Sequence, residues 1–234
     1  MINAGQESLD EAFKRVCELD LSLGEQLGTF ADEVRRRAPD FAAAVDRLVE
    51  RLQRYGAGES APQIGEPMPA FVLPDDAGHL VSLDALLSHG PVAVTFHRGH
   101  WCPYCRINTK AFAEAREHIE AGTAQFAAIV PERQEFAARV SAEGKGRFPV
   151  LTDVDNGYAL SLNLAIWVGD EMQKILESGG RQLPNYQGNK AWVLPIPATF
   201  VIDKDGIITA RFIDPDHRKR MAIEDLVSAL RDAH

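Results

Sequence analysis

Two thiols three residues apart, Cys102 and Cys105, are the residues of this 234-residue chain best placed by type and spacing to do chemistry. They enclose Pro103 and Tyr104 and follow directly on Trp101. The attacking form of cysteine is the thiolate, and an ordinary thiol is only about a few per cent ionised at neutral pH. A reactive pair therefore needs a local source of positive potential. The surrounding run from Pro91 to Arg106 supplies one. Val92, Val94, Thr95 and Phe96 form an apolar, β-branched segment that predicts a buried strand, Gly99 predicts a tight turn, and a helix is expected to open at the cysteines. A helix N-terminus offers unpaired N–H groups and a partial charge of about half a unit. Pro103 suits the first turn, where its missing N–H costs nothing. Cysteines at this spacing share a face and can close a small disulfide ring. Arg98 and Arg106 add positive charge where their side chains turn to the thiols. A C-x-x-C at a strand-to-helix junction reads as a redox dithiol.

Other chemistry in the same stretch is weaker. His97, His100, Cys102 and Cys105 are four metal-ligand types within nine residues. A strand end and a helix start do not set them at the corners of a tetrahedron, so no metal is expected. His100 is a candidate base near the thiols. Trp101 is expected to shield the pair and shape the surface around it. Cys17, close to an apolar helical stripe, reads as an inert packed thiol.

Trp101-Cys102-Pro103-Tyr104-Cys105 resembles the redox centre of the thioredoxin superfamily, with the Pro-Tyr interior found in glutaredoxins. The longer string FHRGHWCPYC, together with the entry segment from Gly65 to Leu73, resembles the peroxiredoxin-like branch of the alkyl hydroperoxide reductase and thiol-specific antioxidant (AhpC/TSA) family. A third match runs from Pro195 to Gly206. The resemblance implies that Pro197 is cis, with the Ile196 backbone held against the dithiol so that an extended substrate can pair with it. Typical peroxiredoxins carry Pro-x-x-x-Thr-x-x-Cys. Laid on Cys105, that pattern puts Arg98 at the proline and Cys102 at the threonine, so a second thiol replaces the peroxide-polarising hydroxyl.

The elements around the centre follow from periodicity. Leu9, Phe13, Val16, Leu19, Leu23 and Leu27 recur at helical steps, and a second helix is expected beyond Pro39. These helices make an N-terminal extension (1–60) whose expected use is docking or dimer formation. The Gly- and Pro-rich stretch from Gly56 to Pro62 reads as a linker. Strands then alternate with helices through residues 61–234, which implies parallel pairing within an α/β sandwich. The fold class expected is a thioredoxin-like α/β domain, a central mixed sheet flanked by helices, with the extension in front. Asp205-Gly206 marks a hairpin between two closing strands, and a last helix is expected from His217 to Ala233. Residues 163–194 exceed what this fold requires and could overhang the thiols as a lid. Trp167 and Trp192 there read as packing residues.

The net charge of −9 argues against nucleic acid or an anionic membrane as partner. No apolar run approaches the roughly 18 residues of a membrane span. The polar, acidic opening lacks the order of a signal peptide, and three cysteines make no disulfide framework, so the expected compartment is the cytosol. Function is expected to be thiol redox catalysis without a cofactor. The first expectation is a peroxidase acting on hydrogen peroxide or organic hydroperoxides, re-reduced by a thioredoxin- or glutathione-type donor. A thiol–disulfide oxidoreductase of protein substrates, or a non-catalytic redox sensor or adaptor, is the alternative. Either cysteine could attack first, and a homodimer is implied by resemblance alone.

Overall fold

The computed structural model describes residues 7–119 and 124–233. The opening residues 1–6, part of the polar start noted above, lie outside them.

A five-stranded sheet forms the centre. In sequence order its members are β3 (Val92–Phe96), β4 (Gln125–Val130), β5 (Val150–Thr152), β8 (Ala198–Ile202) and β9 (Ile208–Ile213), and their spatial order is β5-β4-β3-β8-β9. β3 runs parallel to β4 and antiparallel to β8, while β9 closes the edge antiparallel to β8. This is the mixed sheet that the alternating pattern predicts. Successive side chains of a strand point to opposite faces. Val92, Val94 and Phe96 accordingly join Phe200 and Ile202 in one core, with Met68, Phe71 and Leu83 beneath them. Ala93 faces the other core, where α5 (Pro103–His118), α6 (Gln134–Glu143) and α10 (Ile223–Asp232) contribute Phe112, Val140, Leu226 and Leu230.

Two short ribbons flank the sheet, β1 (Val72–Pro74) with β2 (Leu80–Ser82) and β6 (Ala165–Trp167) with β7 (Val193–Pro195). Short helices α4 (Leu83–Leu87) and α7 (Gly157–Ser161) fill the connections. Between β6 and β7 lie α8 (Asp170–Ser178) and α9 (Leu183–Gln187), the body of the segment longer than the fold requires.

The extension holds three helices, where the periodicity predicted two: α1 (Leu9–Cys17), α2 (Leu23–Arg37) and α3 (Pro39–Arg54). The apolar stripe is continuous, yet the chain breaks at residues 18–22. Ser22 accepts from the Glu25 N–H while Glu25 reaches back to the Ser22 N–H, a reciprocal cap that starts a new helix. Ser8 and Glu11 do the same for α1. Pro39 sits in the first turn of α3, as expected.

These helices share a core with the redox helix. Phe13, Leu27, Phe30 and Val34 pack on Cys102, Tyr104 and Ile107 of the α5 region. The Phe30 ring lies edge-on to Phe13 at 5.8 Å and to Tyr104 at 5.3 Å. Burying a side chain of that size contributes about 2–3 kcal/mol. From the other side α3 meets α8: Val45, Leu48 and Val49 pack on Met172 and Leu176, and Arg47 pairs with Glu171 at 2.5 Å. Extension and insertion thus meet above the start of α5. The stretch expected to be a loose linker is tied down, with Arg211 donating to the carbonyls of Ala61 and Pro62.

Candidate active site

β3 delivers the chain to His97, and a tight turn hands it to α5. Gly99 makes that turn at φ 131°, a region closed to other residues. A Cβ there would stand 2.5 Å from a Glu132 carboxylate oxygen and 2.8 Å from Trp101 Nε1. Cys102 is the N-cap of α5, no side chain caps that helix, and Pro103 occupies its first turn. The first-turn N–H groups are therefore open to a thiolate.

Both thiols are buried and reduced, each 1 % exposed. Two donors converge on Cys105 Sγ: the backbone N–H of Arg98 at 3.3 Å and the Arg220 guanidinium Nη2 at 3.2 Å. Arg98 is itself buried, its guanidinium 5.2 Å from the Trp101 ring centre. Among the described residues no carboxylate pairs with Arg98 or Arg220, so their charge is left for the dithiol. Burial raises the Cys102 pKa, but the hydrogen bond with Cys105 and the charges of Arg98 and Arg220 outweigh it and bring it down to about 6. Burial and the charge on Cys102 push Cys105 well up. The pair thus loses one proton readily and holds the second, one negative charge shared by two sulfurs. The directed donors favour Cys105 as its seat.

Two buried histidines near the pair, His97 and His217, are held neutral. Burial, then the Arg220 charge, lowers His97 to about 3, and its ring nitrogens lie 2.9 Å from Asn108 Nδ2 and 3.3 Å from Thr109 Oγ1. Burial and the charges of Arg98, Arg220 and Arg218 hold His217 well below its usual range, and its ring meets Tyr104 edge-on at 5.5 Å. His100 is gripped by the fully buried Glu132, which takes both its backbone N–H and Nδ1 at 2.8 Å. His100 Nε2 lies 3.4 Å from Arg139, and Phe136 and Tyr186 pack against the imidazole.

Two spaces open on the pair. Cys105 borders a polar cleft of about 220 Å3 with His100, Thr109, Arg139 and Glu143. Cys102, Trp101 and Arg98 border a pocket of about 320 Å3 walled by Phe13, Phe30, Phe41 and Ile175. Residues of α1, α2 and α8 therefore overhang Cys102, and the long segment before β7 does cover the redox centre.

The structure gathers Arg98, Gly99, Trp101, Cys102, Pro103, Tyr104 and Cys105 at one place, with Tyr104 turned inward under Phe30. It corrects the reading of Ile196 and Pro197. No cis peptide bond occurs among the described residues, and Pro197 is trans. β7 passes into β8 through a buried extended step in which the Ile196 N–H donates to Leu164 O at 2.7 Å. That pairing continues the β6–β7 ribbon, needs no reversal of the chain, and leaves the ordinary trans preference of an X–Pro bond in force. The Ile196 N–H is consumed internally, and its side chain packs in the sheet core with Val94, Phe96 and Phe200.

The last helix also starts later than expected. Residues 217–222 form a loop that carries His217 and Arg220 to the thiols, and α10 begins at Ile223. Sequence reasoning missed Arg220, His217 and Glu132. The signal for the first two was the run His217-Arg218-Lys219-Arg220. A helix N-terminus repels such cations, and the true first turn carries Glu224 and Asp225.

A five-stranded mixed sheet flanked by helices, with a C-x-x-C at the N-terminus of α5, is a thioredoxin-like fold. Residues 64–211 match the model of the AhpC/TSA family, and the chain belongs to that family. Its structure is similar to the peroxidoxin BcpB of Mycobacterium tuberculosis, at 20% identity and a TM-score of 0.56 over 74% of this chain and 98% of that one. It is also similar to a thiol peroxidase from Chromobacterium violaceum (16% identity, TM-score 0.51, 74% and 88% covered) and to a peroxiredoxin-like protein from Aquifex aeolicus (14%, 0.52, 74% and 89%). Comparison with curated protein sequences finds no match. Family and fold support a thiol peroxidase or thiol oxidoreductase role. No helix among the described residues is long and apolar enough to cross a membrane.

Proposed function

We propose that the chain is a peroxiredoxin-like thiol peroxidase that reduces hydrogen peroxide or an organic hydroperoxide through its Cys-Pro-Tyr-Cys pair. The observation that carries this reading is the convergence of the Arg98 N–H and the Arg220 guanidinium on Cys105 Sγ. These donors hold a thiolate and are placed to polarise a peroxide drawn up to it, the task that a hydroxyl at position 102 would otherwise perform. Cys105 attacks one peroxide oxygen, the O–O bond breaks, and the departing alkoxide or hydroxide takes up a proton. The Cys102 thiolate then attacks the Cys105 sulfenic acid, the S–O bond breaks, and water leaves as the Cys102–Cys105 disulfide forms. A thiol donor returns two electrons.

The depressed pKa of Cys102 at a helix N-cap supports a second reading, thiol–disulfide exchange with Cys102 attacking. Stopped-flow mixing of reduced protein with hydrogen peroxide separates the two, with Trp101 fluorescence as the signal and Cys102→Ser and Cys105→Ser in parallel. Fast oxidation that survives in Cys102→Ser, trapped as a sulfenic acid, and disappears in Cys105→Ser supports the peroxidase. Oxidation no faster than that of a free thiol, with rapid exchange against a protein disulfide, overturns it.

A further inference from the structure

The two cysteines face different spaces, and the difference divides the catalytic cycle. The cleft at Cys105 is small and lined by His97, His100, Arg106, Thr109, Arg139 and Glu143. The pocket at Cys102 is larger, carries aromatic and aliphatic side chains beside Arg98, Arg106 and Arg181, and reaches the size range of small-molecule sites, roughly 300–1,000 Å3. We propose that the Cys102 pocket is the reductant's site and that the reductant is a low-molecular-weight dithiol carried on an apolar chain. The proposal deepens the peroxidase reading and rests on it.

Three observations carry it. First, the Cys102–Cys105 disulfide is asymmetric. Cys105 Sγ is held by the Arg98 N–H and Arg220, whereas Cys102, the N-cap of α5, is the sulfur that borders the larger pocket. Which sulfur is attacked depends on access, and a reductant entering that pocket meets Cys102, so attack falls on Cys102. Second, Cys102 is 1 % exposed beneath helices that are fastened to one another. Arg47 pairs with Glu171, Arg51 donates to the carbonyls of Trp167 and Val168, and Phe30 locks on Tyr104. A folded protein donor cannot bring its own sulfur to Cys102 through that cover, while a small molecule can. Third, Phe13, Phe30, Phe41 and Ile175 reward an apolar body, while Arg98, Arg106 and Arg181 line the same pocket and can hold a polar end of the molecule.

The need for two thiols follows from the confinement. The reductant's thiolate attacks Cys102 Sγ, the Cys102–Cys105 bond breaks, and Cys105 leaves as thiolate. The mixed disulfide on Cys102 now fills the pocket, so the second thiol must come from the same molecule. That thiol gives up its proton and attacks the reductant sulfur bound to Cys102. Cys102 leaves as thiolate, the reductant departs as a cyclic disulfide, and two electrons and two protons have passed to the protein.

The test follows the reduction step alone. Full-length protein oxidised to the disulfide with diamide is mixed with dihydrolipoamide, dithiothreitol, glutathione or reduced thioredoxin at matched thiolate concentration. Dihydrolipoamide is expected to reduce it about tenfold faster than dithiothreitol and faster than thioredoxin. Filling the pocket with Ile175→Trp, or more mildly with Ile175→Phe, is expected to lower the dihydrolipoamide rate by roughly tenfold. Reduction fastest by thioredoxin or glutathione overturns the proposal. So does an unchanged dihydrolipoamide rate in both folded variants, or a pocket variant that slows oxidation by cumene hydroperoxide and leaves reduction alone. Because diamide makes the disulfide, the outcome is read whether or not hydrogen peroxide oxidises the protein. Failure of the peroxidase reading therefore shows separately, in the oxidation step.

Discussion

The Arg220 guanidinium donates to Cys105 Sγ at 3.2 Å from a loop in which it also holds the carbonyls of His217 and Lys219. That grip orients the fork, so the cation acts on the sulfur as a fixed donor and not as a diffuse surface charge. Arg220→Met removes the charge and keeps much of the volume. The first ionisation of the dithiol, held down to about 6 by the hydrogen bond between the cysteines and then by the charges of Arg98 and Arg220, should rise. A rise of about one unit lowers the thiolate fraction at neutral pH, and with it the oxidation rate, by about twofold. An ultraviolet thiolate titration alongside the pH profile of oxidation checks this. An unmoved midpoint would show that Arg220 only fills space.

Gly99→Ala places a methyl group against Glu132 and forces a φ of 131° on a residue that resists it. The expected cost is about 2–3 kcal/mol in urea unfolding. Gly28→Ala, in α2 with nothing near its Cβ position, is the contrast and should stabilise by roughly 1 kcal/mol. Equal effects at both sites would contradict the crowding described for the turn.

Acid should unfold this protein through its buried histidines. His97 is neutral down to about 3 and His217 is likewise depressed by burial, whereas in the unfolded chain each binds a proton near 6.5. Below 6.5 the unfolded state holds more protons, so the stability these groups confer is present above that pH and is lost on acidification. The slope is about 1.4 kcal/mol per pH unit for each histidine. Chemical denaturation between about pH 6 and pH 4 measures it. His217→Phe preserves the ring contact with Tyr104 and should remove one histidine's share; an unchanged slope would exclude His217 as a contributor.

Phe30→Ala empties the joint between Phe13 and Tyr104. Loss of a buried phenylalanine costs about 3–5 kcal/mol, and the roof over Cys102 loosens with it. Iodoacetamide should then alkylate Cys102 faster than in the parent protein under native conditions. Destabilisation with no change in alkylation would mean that Phe30 supports the fold without guarding the thiol.

What could be read from the sequence was what lies close together in it. The strand before Gly99, the turn, and the dithiol at the start of α5 are specified within one continuous stretch, by β-branched residues, one glycine and one proline. The break between α1 and α2 was equally local, written in Ser22 and Glu25, but a continuous apolar stripe masks a capping pair unless both are weighed. The cis form of Pro197 came from resemblance, and the β6–β7 pairing at Ile196 overrules it. Arg220 and Glu132 escaped for a different reason. Their roles depend on which loop the fold brings beside Cys105 and Gly99, and no spacing records that. The Cys102 pocket is likewise a product of docking, since Phe30 and Ile175 belong to helices that only the tertiary fold brings together.

Cys105 and its guanidinium partner are separated by 115 residues of chain. During synthesis the thiols therefore emerge from the ribosome long before their cation does. A nascent chain that has completed α5 already holds Arg98 and the helix N-terminus beside its cysteines, but Cys105 gains its second directed donor only when the loop before α10 has been made and has folded home.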